Sequence, residues 1–325
     1  MKKIELIVKN LSKYMLLYTL LIIIMGTLVS YRYSLNILSN YINVIVFLMI
    51  YPMMVNVSFE SLKQINKSKK AILVALFFNF ALAPLLYWLL CMLFQAPLDV
   101  KIALLLLAVA PASSMGLGYV GLSKGDMISA SMIVALAFIL SLIVYPITIN
   151  LLNIGQSVFL FVDVLKSLIF VLVLPLVLGL ITRELIIERK HIAFNNVKPY
   201  FSLVTLVFLY ILIFVIFALK GQLIIKHWTK FILIAPIASS FYIIMISIAL
   251  VFTKFLVKLD YAHTQAVVFT TVSKNVALTI GLLATVFGES GYAMAMYPAI
   301  ISIFQIIFLM TYLNFSEQIK RWYTK

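Results

Sequence analysis

Ten stretches of this chain are apolar over roughly 20 residues each, the length an α-helix needs to cross the hydrocarbon core of a bilayer. They run at about Tyr14–Ser30, Asn40–Val57, Ala71–Phe94, Ile102–Leu122, Met127–Leu152, Ser157–Ile181, Tyr200–Leu219, Phe231–Phe252, Thr264–Phe287 and Tyr292–Phe315. A backbone in hydrocarbon must satisfy its own N–H and C=O groups, so the predicted fold is all-α and integral to the membrane. Composition agrees: 65% of residues are hydrophobic and 11% charged, against about 45–50% and about 25% in soluble domains. An ordinary soluble enzyme, a nucleic-acid-binding domain and a disordered chain are excluded on that ground. The longest polar connector, about Thr182–Pro199, leaves no room for a separate soluble domain, so residues 1–325 read as one transmembrane domain. Tyr31-Arg32-Tyr33 follows the first stretch where a signal peptide would carry small residues, so that stretch is expected to be a retained span.

The formal charge is +15, from 25 Lys and Arg against 10 Asp and Glu. On a soluble chain this would suggest nucleic acid; on a membrane chain it asks which connectors hold the cations. Lys2, Lys3, Lys9, Lys13, the cluster Lys63–Lys70, Lys124, Arg183–Lys198, Lys254, Lys258 and the C-terminal Lys320, Arg321 and Lys325 put 18 on one side. Arg32, Lys101, Lys166, Lys220, Lys226 and Lys230 put six on the other. The positive-inside rule then predicts both termini in the cytoplasm, in the plasma (cell inner) membrane.

Ten spans divide into two halves of five, 1–155 and 156–325. An odd number per half turns a duplicated half upside down, an inverted repeat typical of transporters. Polar interruptions recur in the fourth and ninth spans. The fourth carries Pro111-Ala112-Ser113-Ser114-Met115-Gly116-Leu117-Gly118; the ninth carries Thr270-Thr271-Val272-Ser273-Lys274-Asn275. Gly121-Leu122 and Gly281-Leu282 recur 160 positions apart. Pro111 removes a helix donor and clashes with the preceding turn, and Gly116 and Gly118 are expected to loosen the helix and to permit close backbone approach. A lone kink of this kind is ordinary packing, but two at corresponding positions point to broken helices lining a binding cavity.

Lys274 is the cation left over, near the middle of the ninth span. A lysine at that depth costs at least about 2.5–3.5 kcal/mol on insertion scales and is a functional candidate by default. A lysine that snorkels to an interface is the plain alternative. None of the ten acids lies in the middle of a span; Asp163 comes closest. Three explanations stay open: the amine is neutral, carbonyls of the break hold it, or an anionic solute is its counter-charge. The candidate solute-binding residues are therefore Lys274, Asn275, Ser273, Asn79, Ser113 and Ser114. Thr270, Thr271 and Ser129 are weaker candidates for ion coupling, and Pro111, Gly116 and Gly118 shape the break. Asn79, five residues before Pro84, is costly to bury and is expected to reach a partner or ligand. The single cysteine, Cys91, and three scattered histidines exclude Cys-based metal sites and make zinc chemistry unsupported. No cofactor is expected; Na+ or H+ are the candidate coupling ions, without a buried carboxylate to hold either. No phosphate-binding loop of the ATPase type is present, and no nucleophile–base pair at membrane depth supports an enzyme.

Four segments resemble the bile acid:sodium symporter superfamily, and within it the arsenical-resistance (arsenite efflux) branch: Tyr51–Leu62 (YPMMVNVSFESL), Phe77–Leu86 (FFNFALAPLL), Leu122–Asp126 (LSKGD) and Phe269–Leu278 (FTTVSKNVAL). The resemblance implies a panel of spans one, two, six and seven. It also implies a core of spans three to five and eight to ten, with helices four and nine crossing at their breaks. It also exposes departures. Ala112 stands where the arsenite branch has a cysteine, and Ala277 where it has a glutamate. Gly116 and Leu117 stand where the sodium-coupled branch has Ser-Asn ligands, and its ninth-span Glu and Gln fall near Thr270 and Lys274. Asn79 matches a polar sodium-site position. The expected function is secondary transport of a small anion or metalloid oxyanion by alternating access. The alternatives are a sodium-coupled symporter of bile-acid-like organic anions and a membrane sensor that has lost transport. The partners expected are the lipid bilayer and the solute, with no nucleic acid.

Overall fold

The computed structural model describes residues 2–33, 35–56, 68–152, 166, 169–186 and 194–324. Within them the chain is helical almost throughout. Seven helices are long and apolar enough to cross a membrane: Met15–Arg32, Asn36–Val55, Lys69–Leu93, Met127–Leu152, Asn196–Lys220, Trp228–Leu256 and Gly288–Asn314. Their outward side chains are apolar; Leu28 and Ile143, for example, are 64% and 58% exposed. Such surfaces are stable against acyl chains and not against water. The chain is a multi-pass membrane protein.

The fourth and ninth apolar stretches are each two short helices. Leu98–Ala108 is followed by Ser114–Leu122, and Tyr261–Val272 by Val276–Val286. The sixth is described from residue 169 onward, as a widened turn Ile169–Val173 and the helix Leu174–Glu184. Helical hydrogen bonding runs past the apolar windows at several ends. The fourth stretch begins at Leu98 rather than Ile102, the tenth at Gly288 rather than Tyr292, and the polar tails form the helices Lys2–Lys13 and Ser316–Thr324. Lys63, Lys67, Glu60, Asp163, Arg189 and Lys190 lie outside the described residues.

The chain forms two compact units, and each takes segments from both halves of the sequence. The first comprises 1–57, 153–228 and 277–299. In it the helix Phe194–Lys220 packs against Met15–Arg32 and Ile42–Val55. Gly26 makes the first of these contacts close, because a Cβ there would stand 2.8 Å from Phe217 Cβ. Small residues at such crossings let membrane helices gain van der Waals contact without a hydrophobic driving force. Tyr51 and Thr182 share a hydroxyl hydrogen bond of 2.8 Å in the same unit.

The second unit comprises 58–152, 229–276 and 300–325. Its third-span helix changes register midway: Lys69–Phe77 gives way to a π turn at Phe78–Leu82 and then to Ala83–Leu93. The Ala83 amide donates to Phe78 O, one residue farther back than in an α-helix. In that register the next donor, to Asn79 O, would be residue 84, which is a proline without an N–H. The Asn79 carbonyl is thereby released from the helix ladder. Tyr87 stacks on Phe241 with ring centroids 3.9 Å apart, and Tyr242 stacks on Phe308 at 5.6 Å. Tyr87, Phe241 and Tyr242 are fully buried.

Candidate functional site

The first break is set by Pro111. The residue before a proline disfavours the α region, and the Leu98–Ala108 helix ends short of it. Ser113 is extended (φ −79°, ψ 157°) and stands at the N-cap position of the new helix that starts at Ser114, without a side-chain cap bond. The second break has no proline. Ser273 leaves the helix at φ −80°, ψ 84°, in a Ser-Lys-Asn stretch flanked by Thr270, Thr271 and Val272, residue types weak in helix propensity.

The two breaks lie side by side and antiparallel, with Ala112 opposite Lys274. The Ser113 amide donates to Ser273 O at 2.8 Å, and the Asn275 amide donates to Pro111 O at 2.9 Å. Each break thus satisfies backbone groups of the other, which at membrane depth would each cost several kcal/mol if left bare. The hydroxyls of Ser113 and Ser273 are 2.5 Å apart across the same crossing. Gly116 permits the approach: a Cβ there would stand 3.0 Å from Phe269 O and 3.2 Å from the Ser273 side chain.

Lys274 has 0% of its surface exposed, so it does not snorkel. Its ammonium donates to Asn79 Oδ1 at 2.7 Å and to Asn79 O at 3.4 Å. The second acceptor is the carbonyl that the π turn and Pro84 release. Asn79, also fully buried, donates through Nδ2 to Thr270 O at 3.4 Å. Its amide therefore bridges the Lys274 amine to a carbonyl in the last turn of the Tyr261–Val272 helix, the end that favours a cation. Among the described residues Lys274 makes no ion pair. Of the three explanations that the sequence leaves open, holding by carbonyl oxygens is the arrangement observed, but the oxygens belong to the third span and not to the breaks.

Lys274, Asn79, Ser273 and Ser113 are thus brought together, with Asn275 tied to Pro111. Ser114 starts its half-helix, and its side chain lies outside the described part. Thr270 and Thr271 are buried beside the break, but their hydroxyls donate back to Ala266 O and Val267 O of their own helix, at 2.6 and 2.8 Å. Ser129 begins the Met127–Leu152 helix; its amide bonds Asp126 Oδ1 and its hydroxyl donates to Ser68 Oγ. Gly116 and Gly118 sit in a regular helix rather than loosening one, because the break is complete before Ser114. Gly118 faces open space, with nothing within 4 Å of a built Cβ.

One residue of the site escaped sequence reasoning. Gln305, buried in the tenth-span helix, accepts from the Lys274 amide at 2.9 Å and donates to Lys274 O at 3.2 Å. Its only sequence signal is a carboxamide within the apolar run Ile303–Phe308. Among the described residues no group of three or more His, Cys, Asp or Glu could hold a metal ion. Cys91 is buried in the Ala83–Leu93 helix.

The comparisons with known proteins bear on this arrangement. The model of the Sodium Bile acid symporter family matches residues 43–227, more than half of the chain. The match includes Asn79 and the Pro111 break and ends before Lys274 and Gln305. The Arsenical-resistance protein Acr3 of Alkaliphilus metalliredigens (strain QYMF) is 30% identical over 206 residues, 59% of this chain and 58% of that protein. The Arsenical-resistance protein Acr3 of Corynebacterium glutamicum is 26% identical over 264 residues, 76% of this chain and 70% of that protein. The chain thus aligns with little more than half the length of the first relative.

Proposed function

The chain belongs to the sodium bile acid symporter family, whose members are membrane transporters rather than enzymes, and from that premise we propose that it is a secondary transporter of a small anionic or oxyanionic solute, working by alternating access. The frame of this reading is ten spans in two inverted five-helix repeats, 1–155 and 156–325, in the plasma membrane with both termini cytoplasmic. The 18-to-6 distribution of cations supports that orientation. The arsenical-resistance names of two relatives support a metalloid oxyanion as the solute class.

One observation carries the reading: a fully buried lysine stands at the crossing of two helix breaks and, among the described residues, is held by neutral oxygens. On the resemblance to the sodium-coupled branch, that branch's ion ligands fall near Thr270 and Lys274, and this chain has a lysine there. Asn79, which matches a sodium-site position, already has its Oδ1 engaged by that ammonium. Transport on this reading needs no sodium, and Lys274 supplies the charge that attracts the solute, with Ser113, Ser114, Ser273 and Asn275 around it. Ala112 in place of a cysteine means that recognition of a metalloid here rests on charge and hydroxyl donors rather than on a thiolate.

The test is transport by purified protein in proteoliposomes with sodium replaced by choline, using arsenite, arsenate and small carboxylates as probes. Activity in choline that disappears in Lys274→Ala is the expected result. Loss of activity in choline while Lys274→Ala remains active in sodium overturns it. Growth of a metalloid-sensitive host with and without the gene separates metalloid export from organic-anion import.

A further inference from the structure

In an antiparallel pair, residues that face each other without exchanging hydrogen bonds turn their own N–H and C=O away from the partner strand. Ala112 and Lys274 are such a pair: the bonds across the crossing come from Ser113 and Asn275, on either side of them. The peptide groups of Lys274 therefore point to the side away from Ala112, where a third strand would stand in a sheet. Among the described residues no third strand stands there. The carboxamide of Gln305 takes its place, with Oε1 accepting from Lys274 N–H at 2.9 Å and Nε2 donating to Lys274 O at 3.2 Å. A carboxamide has the same donor and acceptor as a peptide unit, so one side chain reaches both groups, in addition to the tight local bonds from Lys274 N–H to Val272 O (3.1 Å) and from Val276 N–H to Lys274 O (3.0 Å).

The orientation of that carboxamide is itself held. Tyr242 OH donates to Gln305 Oε1 at 3.4 Å, which keeps the oxygen and not the NH2 turned toward the Lys274 amide. Gln305 is 3% exposed and Tyr242 is fully buried, stacked on Phe308.

We propose that Gln305, oriented by Tyr242, is a positioning residue that fixes the Lys274 backbone in the orientation that delivers its ammonium to Asn79. It touches no solute. It acts through Lys274, because the direction of a Cα–Cβ bond follows from the two peptide planes beside it, and Gln305 binds a group of each plane. Lys274 has a long side chain with many rotamers; a fixed backbone limits where its end can go. The role in transport rests on the reading of Lys274 as the solute-attracting charge; the clamp itself does not.

The experiment joins a structural and a transport measurement on the full chain in lipid nanodiscs or vesicles. Gln305→Leu removes both bonds. Gln305→Glu keeps an acceptor for the Lys274 amide and loses the donor to Lys274 O. Hydrogen exchange of a peptide covering residues 270–280 reads the clamp, and the expected result is faster exchange by about tenfold or more in Gln305→Leu with a smaller effect in Gln305→Glu. Concentration dependence of arsenite transport in everted vesicles reads the positioning. There KM is expected to rise by about fivefold or more with Vmax within about twofold, the pattern of lost binding rather than lost fold. Tyr242→Phe, which only frees the carboxamide to turn, is the mild variant that keeps the test alive where Gln305→Leu does not reach the membrane; it should change both readouts in the same direction and by less. Unchanged exchange in every variant overturns the clamp. Faster exchange with unchanged KM, in a protein that Lys274→Met inactivates, overturns the positioning role. Arsenite transport that survives Lys274→Met sinks the solute reading instead and leaves the clamp to the exchange result.

Discussion

Lys274 Nζ and Asn79 Oδ1 are 2.7 Å apart, both residues fully buried and both without a carboxylate in the contact. A hydrogen bond to a charged group is worth about 1.5–3 kcal/mol, and a buried cation stripped of its acceptor costs more than the bond. Asn79→Ala is therefore expected to lower the melting temperature and abolish transport. Asn79→Asp should keep or raise the melting temperature, since it supplies an opposite charge, and still abolish transport by neutralising Lys274. An Asn79→Asp variant with wild-type transport would show that the charge is not what the solute uses.

The two glycines of the first half-helix should part company on substitution. Gly118→Ala meets nothing within 4 Å and should stabilise by about 0.5–1 kcal/mol, the helix-propensity gain. Gly116→Ala pushes a methyl to 3.0 Å from Phe269 O and should destabilise by about 1–3 kcal/mol, as overpacking does. Thermal melts of both variants in the same detergent settle the contrast.

Lys254 helps to hold the helix Ser316–Thr324, beside the Lys124–Glu317 ion pair at 3.3 Å. Lys254 Nζ lies 3.8 Å from the Trp322 ring centroid and 5.2 Å from that of Tyr323, and it donates to Trp322 O. Tyr323 OH is 3.3 Å from Thr253 Oγ1. Lys254→Ala is expected to release this helix, at a cost of about 0.5–2 kcal/mol for the cation–π contact. Trypsin cleavage at Lys320 and Arg321 should then accelerate while the rest of the chain stays intact; an unchanged digestion pattern would count against the pin.

Asp260 caps the half-helix that leads to the second break, accepting from the His263 amide at 2.8 Å and from its ring at 2.9 Å. Partial burial works to raise its pKa, and the bonds from His263 and the Ala262 amide outweigh that, leaving the carboxyl below its usual range. A carboxyl lowered on folding stabilises at neutral pH, and the contribution disappears as pH falls through its folded value. The melting temperature lost in Asp260→Ala near pH 7, equivalent to about 1 kcal/mol for an N-cap, should shrink progressively as pH falls below the ordinary carboxyl range and through the lowered folded value. A loss of equal size at neutral and strongly acid pH would assign the effect to packing.

The legible and illegible parts of this site differ in kind. Pro111 and Lys274 announce themselves, one by removing a donor and the other by carrying charge into hydrocarbon. Asn79 was expected to find a partner, and it does. That the partner is Lys274 depends on a contact across 195 positions and on a π turn whose extra residue changes the phase of the helix. Periodicity in the sequence does not register a one-residue phase change, because the flanking side chains are apolar on every face. Gln305 was missed for a related reason: a neutral amide in an apolar run has the same appearance whether it packs or clamps. Gly116 does allow the close backbone approach expected of it, with Phe269 O 3.0 Å from where its Cβ would stand, whereas Gly118 faces open space, and neither loosens a helix because the proline has already ended the previous one. Thr270 and Thr271 place their hydroxyls on carbonyls of their own helix, a habit of these residues in membranes.

The pairing of the two breaks also bears on how the protein is made. Ser113 emerges from the ribosome 160 residues before Ser273, with which it shares its hydrogen bonds, and Gln305 follows later still. Through about half of synthesis the first break is therefore an opened helix in the bilayer with no permanent partner, dependent on water, lipid headgroups or an insertion factor for its stray peptide groups. The contact that closes it spans 160 positions, and contacts of such separation form late. Quality control of the nascent protein has a natural checkpoint there: until the ninth and tenth spans arrive, the fourth cannot be finished.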